Sequence, residues 1–233
     1  MTIINEDFIG VYKALKENTS SSPSGRHVGH YKAVVGGPAL VTMHTMMMTL
    51  PFHHGFVPDR WTKVTDIMLK KDHGSARCHR LRIIAVFESD LNQAKRLFIG
   101  RTLSHHLEDS HLFPSMQFGS RRGHQSQSAV LQKVLCHDMT RIMKATTAFI
   151  ENDAIGCYDR LVNNLILLPL ARLGFARSVC SCLGSLWDST THFIKTLYGT
   201  SSITYSSTAD IPLFRPGQGS TTGPPFWLIV CYS

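Results

Sequence analysis

The stretch Trp61–Phe87, WTKVTDIMLKKDHGSARCHRLRIIAVF, decides the fold. Its first part sets Val64, Ile67 and Leu69 among polar residues, the pattern of a half-buried strand, and its last part, LRIIAVF, is an apolar, β-branched run of strand length. The polar insert DHGSARCHR between them reads as the turn of a two-stranded ribbon. Lys70, Lys71, Arg80 and Arg82 crowd the ends of that ribbon. An isolated hairpin is marginal in water, so the rest of the chain must supply further strands or helices to cover it.

Outward from the ribbon, helical spacing of apolar residues predicts helices over Asp7–Glu17 and Pro38–Leu50, separated by the Ser/Pro/Gly loop SSSPSGRH. Met43, Met46, Met47 and Met48 read as core filler in the second of these. Ser89 reads as the N-cap of a helix to about Glu108, with Leu91, Ala94, Leu97, Phe98 and Leu103 inward, and a further helix is predicted from Ser128 to Lys144. Ala145–Asn152 is a β-branched and aromatic run that predicts a strand, central in its sheet. Beyond it come an apolar helix that Pro169 should kink or stop, a helix near Ala176–Trp187, and two β-like runs around Gly199. The loop PLFRPGQGSTTGPP and the apolar FWLIVCYS follow. No repeat or linker divides the chain, which reads as one continuous α+β unit.

Composition narrows the class. The 233 residues are 43% hydrophobic, enough for a real core, and 24 Lys and Arg against 16 Asp and Glu give a net charge of +8 and a pI near 9.3. Such a balance points first to a polyanionic partner. The six cysteines lie mostly in apolar or helical contexts of a chain too long for a disulfide scaffold, which implies reduced thiols and an intracellular protein. Neither Cys180 with Cys182 nor the group His73, Cys78 and His79 has the spacing of a zinc site. The N-terminus MTIINEDF meets acids before any long apolar run, unlike a signal peptide, and no run reaches the length of a membrane span.

The segment AFIENDAIGCYDRL, Ala148–Leu161, carries two aspartates six residues apart. Asp153 ends the predicted strand, where a carboxylate must be solvated, paired or bound to a cation; Asp159 stands where a helix N-cap belongs. Taken alone, Asp153 reads as a turn residue ahead of a metal ligand.

The company it keeps brings a resemblance. KVTDIMLKKD, LRIIAVFESDLNQAKRLFIGRTL, PSMQFGSRRGHQSQSAV, FIENDAIGCYD and FIKTLYGTSSITYSSTADIPLFRPGQGSTTGPPF follow one another as the motifs of a reverse transcriptase domain do, and the chain resembles the non-LTR retroelement and group II intron type over roughly Ser21 to Phe226. The resemblance implies fingers (1–88 and 160–212) and an incomplete palm (89–159 and 213–233) of a right-hand polymerase, with a small antiparallel sheet covered by helices. It implies RNA-directed DNA synthesis: nucleotidyl transfer to a primer on an RNA template, with RNA/DNA duplex and deoxynucleoside triphosphates as partners and two cations, Mg²⁺ or Mn²⁺. Asp153 matches the family's first metal-binding aspartate and Tyr158 its aromatic steric gate. Lys70 and Arg82 resemble its triphosphate contacts, with Lys71 and Arg80 as alternatives, and Gln218 and Gly219 match its second palm motif. Lys95, Arg101, Arg121 and Arg122 would serve phosphate backbones. The chain departs from the family pattern at Arg215, where a glycine is usual, at Gly223, where a serine is usual, and at Ser120, where an aromatic is usual. The paired aspartates on a hairpin and the thumb are expected beyond Ser233, so the chain reads as a fragment, inactive alone. The rival expectation is a non-catalytic or degenerate remnant that binds nucleic acid.

Overall fold

The ribbon is formed by β1 (Lys63–Lys70) and β2 (Leu81–Val86), paired antiparallel from Thr65 opposite Val86 to Lys70 opposite Leu81. The computed structural model describes residues 2–19, 22–70, 77, 81–113, 115–150, 157–210, 212–213 and 216–231, without the side chains of Asp159 and Cys231. The helices, in chain order, are α1 (Asn5–Ala14), α2 (Val28–Val34), α3 (Pro38–His54), α4 (Ser89–Lys95), α5 (Thr102–Asp109), α6 (Ser126–Ile142), α7 (Asn163–Arg172), α8 (Arg177–Ser189) and α9 (Gly223–Cys231).

The two β-like runs around Gly199 are β3 (Thr191–Thr196) and β4 (Gly199–Ser206), an antiparallel hairpin. β3 lies beside β1 in parallel, with Lys63 opposite Thr191, and the sheet order is β2-β1-β3-β4. The sheet is therefore mixed, which corrects the expectation of an antiparallel one. A parallel pair needs a long crossover, and more than a hundred residues with several helices separate β1 from β3.

Two compact units make up the chain: residues 1–101 with 157–233, and residues 102–156. In the first, an aromatic core sits beside the sheet. Tyr12 stacks on Tyr31 with ring centroids 4.8 Å apart and touches Phe8 at 4.6 Å, while Phe52 stacks on Phe98 at 4.9 Å and meets Trp61 at 6.0 Å. Each of these side chains is buried, and each ring removes a large apolar area from water. Proline at the start of α3 and Gly55 in the left-handed conformation after it fix that helix at both ends.

A buried polar knot ties the N-terminal loop to the sheet. Glu88 and Asp90, nearly inaccessible, receive the Arg60 guanidinium; Arg60 reaches Asp90 Oδ1 at 2.8 Å and Glu88 Oε2 at 3.2 Å. Burial alone would lower the Arg60 pKa, but hydrogen bonding to Asp90 and the charges around it hold it above its ordinary value. Glu88 in turn accepts from Ser24 N at 2.8 Å and Ser24 Oγ at 2.9 Å, and Trp61 Nε1 donates to Asp90 at 3.2 Å. With these bonds the two buried carboxylates are compensated rather than stranded.

Several local expectations shift. Glu88, not Ser89, is the N-cap of α4, and the helix passes through a π-helical turn at Arg96–Arg101 before α5 continues to Asp109. α7 holds Pro169 in its last turn and ends at Arg172, with Gly174 left-handed beyond it. The segment expected to be a central strand, Ala145–Asn152, shows no strand over its described residues 145–150, which are exposed. A β-prone run becomes a strand only where a neighbour meets its backbone groups, and the sheet takes its four strands elsewhere. The first six residues of the apolar FWLIVCYS form most of α9, burying Phe226, Leu228 and Ile229.

The second unit contains α5 and α6. Arg121 donates through Nε and Nη2 to Glu108 at 3.0 and 2.8 Å and lies over the Phe113 ring at 4.9 Å. α6 buries none of its side chains, and Val130, Leu131, Val134, Leu135 and Met139 are exposed along it. Among the described residues, no helix is long and apolar enough to cross a membrane.

Candidate functional site

The loop from Pro216 to Gly223 lies along the outer edge of β2. Ala85 N–H, left free by the antiparallel pairing of β2 with β1, donates to the Gln218 carbonyl at 2.7 Å. Asn92, on α4, binds the same loop three ways: its Nδ2 donates to Gly219 O at 3.1 Å, its Oδ1 accepts from Thr221 N at 2.9 Å, and its carbonyl accepts from Thr221 Oγ1 at 2.6 Å. Gly219 has φ +109°, and a Cβ there would stand 2.3 Å from Ala85 O. Only glycine fits, because the loop backbone presses against the strand backbone. The need for glycine at this position is thus met by β2 itself.

Below the loop is Lys95, one of the residues expected to serve phosphate. It is fully buried, donates to Ser220 Oγ at 3.0 Å and has its ammonium 3.9 Å from the centre of the Phe87 ring. Burial pushes its pKa down to about 7, since nothing acidic offsets the lost hydration. Arg101 pairs with Asp7 at 2.5 and 2.9 Å, and Arg121 with Glu108, so Lys95 is enclosed and both arginines already hold a carboxylate. Arg122 is exposed.

Lys70 and Arg82 are both exposed, near the end of the ribbon where β1 stops and β2 starts. Lys70 is opposite Leu81, whereas Arg82 is opposite Leu69, so strand alternation puts the two cations on opposite faces of the sheet. Lys71 and Arg80 lie outside the described residues, as does Asp153. Tyr158 sits half-buried in a 3₁₀ turn, Cys157–Arg160, with its ring 3.5 Å from where a Cβ on Gly223 would be. Burial, with Cys157 close by, raises its phenol pKa. Gln218, Gly219 and Tyr158 are thereby gathered at the start of α9. Asp159 belongs to the same turn and does not cap α7, whose N-cap is Val162. Among the described residues, no group of three or more His, Cys, Asp or Glu could hold a metal ion, and no metal site is built from them.

The sequence reading missed a second polar cluster beside the loop. Asp66, the inward residue between Val64 and Met68 on β1, is 2% exposed. Its Oδ2 accepts from His192 Nδ1 at 2.7 Å and from the Tyr205 hydroxyl, and the His192 and Tyr205 rings stack at 5.0 Å. His192 Nε2 is buried with no hydrogen-bond partner, a state that costs about 1–3 kcal/mol unless something satisfies it. These residues line a cavity of about 220 Å³ whose wall includes Gln218 and Gly217.

Compared with known proteins, the chain matches no family model and no curated protein.

Proposed function

We propose that the chain forms the fingers and part of the palm of an RNA-directed DNA polymerase. The observation that carries this reading is the docking of the Gln218–Gly219 loop on β2 of the basic ribbon, which brings together two motifs more than a hundred residues apart in the order the resemblance requires. Tyr158 against Gly223 adds a third motif at the same end of α9. The reaction of the whole enzyme joins a primer 3′-hydroxyl to a deoxynucleoside triphosphate and releases pyrophosphate, with Mg²⁺ or Mn²⁺ supplying charge stabilisation when bound. In it Lys70 and Arg82 contribute cations from the two faces of the ribbon, Tyr158 excludes the ribose 2′-hydroxyl, Gln218 lies by the templating pair, and Asp153 is the proposed carboxylate ligand.

A second reading, nucleic-acid binding without turnover, is favoured by the exposed, strand-free segment 145–150 leading toward Asp153. Both readings predict binding of RNA or RNA/DNA duplex with little sequence preference. The affinity should fall as salt rises, because Lys and Arg displace condensed counterions. Affinity indifferent to ionic strength sinks both. Primer extension by a chimera that joins this chain to a palm hairpin with paired aspartates and a thumb separates them: incorporation that is lost in Asp153→Asn while template binding persists supports the polymerase, and binding without incorporation by that chimera supports the second reading.

A further inference from the structure

We propose that the cavity over Asp66, His192 and Tyr205 binds one unstacked purine or pyrimidine base, an inference that rests on the nucleic-acid reading above. The floor is polar and its hydrogen bonds are incomplete: Asp66 Oδ2 holds His192 Nδ1 and the Tyr205 hydroxyl, and His192 Nε2 has no partner. In the neutral imidazole with Nδ1–H given to the carboxylate, Nε2 is an acceptor for a ligand N–H. The walls are mostly apolar, from Ile83, Phe87, Leu213 and Pro216, with Gln218 beside them. A volume of about 220 Å³ accommodates a single base.

Ligand chemistry follows from that combination. An anion would face the Asp66 carboxylate with no Lys or Arg among the described lining residues. A purely aliphatic group would leave the floor unmatched, and a sugar would set its hydroxyls against apolar walls. A base has apolar faces for the walls and an N–H and C=O edge for His192 and Gln218. Lys70 lies on the same face of β1, four residues along from Asp66 or about 13 Å. One or two nucleotides of backbone bridge that span, placing a phosphate by the ammonium while the base occupies the cavity.

The test uses the full chain and two strands of equal length, one an oligoribonucleotide and one an abasic ribose-phosphate polymer. The intact strand should bind about tenfold or more tightly than the abasic one. Ala85→Met, which fills the cavity from β2, should erase that ratio while leaving the salt dependence of binding unchanged; a melt confirms that the variant folds. Independently, the imidazole NMR signal that disappears in His192→Gln should shift when the intact strand is added. A shift with free nucleoside as well assigns the site to the base from either source, and a shift with the strand alone assigns it to a strand base. Equal affinities for the two strands with no His192 shift overturn the proposal and leave nucleic-acid binding standing. If no strand binds at any salt, the nucleic-acid reading fails, and free nucleoside alone then decides the cavity: a His192 shift upholds a base site and none overturns it.

Discussion

Lys95 shows what one residue can do to a fold's pH response. Its amine has an ordinary pKa of 10.5 and is brought to about 7 by burial, so the folded protein binds fewer protons than the unfolded chain between those values. Stability should therefore rise as pH increases from about 7 toward 10.5, and the full cost of the buried amine is present below pH 7. Lys95→Met should stabilise the protein near neutral pH by on the order of a few kcal/mol and flatten that rise, which urea melts at pH 7 and pH 9 would reveal. A variant with the same slope as the parent would show that the amine is hydrated after all. Gly219 and Gly223 make a second contrast. Gly219→Ala forces a Cβ into Ala85 O at an unfavourable φ and should cost about 2–3 kcal/mol, whereas Gly223→Ala meets the Tyr158 ring at ordinary contact distance and should stay within about 1 kcal/mol of the parent. The same contact suggests that a serine at position 223 would be accepted on steric grounds, so that departure from the family pattern leaves the local packing intact.

At the scale of elements, alternation along the ribbon separates Lys70 from Arg82. Lys70→Ala and Arg82→Ala should each reduce the salt slope of nucleic-acid binding by about 1, and their effects on affinity should add, because the two side chains do not share a phosphate. Strong non-additivity in the double variant would place both on one group. The ribbon was legible in the sequence because its pairing is local and its apolar pattern is short-range. The β1–β3 pairing was not, since strands so far apart in sequence leave no local mark of their register. Register also explains why Asp66 escaped notice: an acid in a strand reads as solvent-facing until its neighbours Val64 and Met68 are known to face inward. The described residues 145–150 of the Ala145–Asn152 run failed in the other direction, as β-propensity without a partner strand. The loop around Gln218 and Gly219 was legible, but its anchor Asn92 was not, because an asparagine in a helix carries no sign of the loop it will hold.

For the whole molecule, protection should be uneven. The amides of β1, flanked by strands on both sides, should exchange with deuterium slowest, and those of α6, whose side chains are all outside the core, orders of magnitude faster. Uniform protection across the two would contradict the division of the chain into separate units. The central position of β1 has a further consequence during biosynthesis. Its parallel partner β3 follows about 130 residues later, and at roughly 5–20 residues per second a ribosome needs on the order of ten seconds to make that intervening stretch. Throughout that interval the nascent ribbon presents a bare β1 edge. Escape from aggregation then depends on what shields that edge at the tunnel exit, and slowing translation between the codons for β2 and β3 should lower the soluble yield more than an equal delay placed after β4.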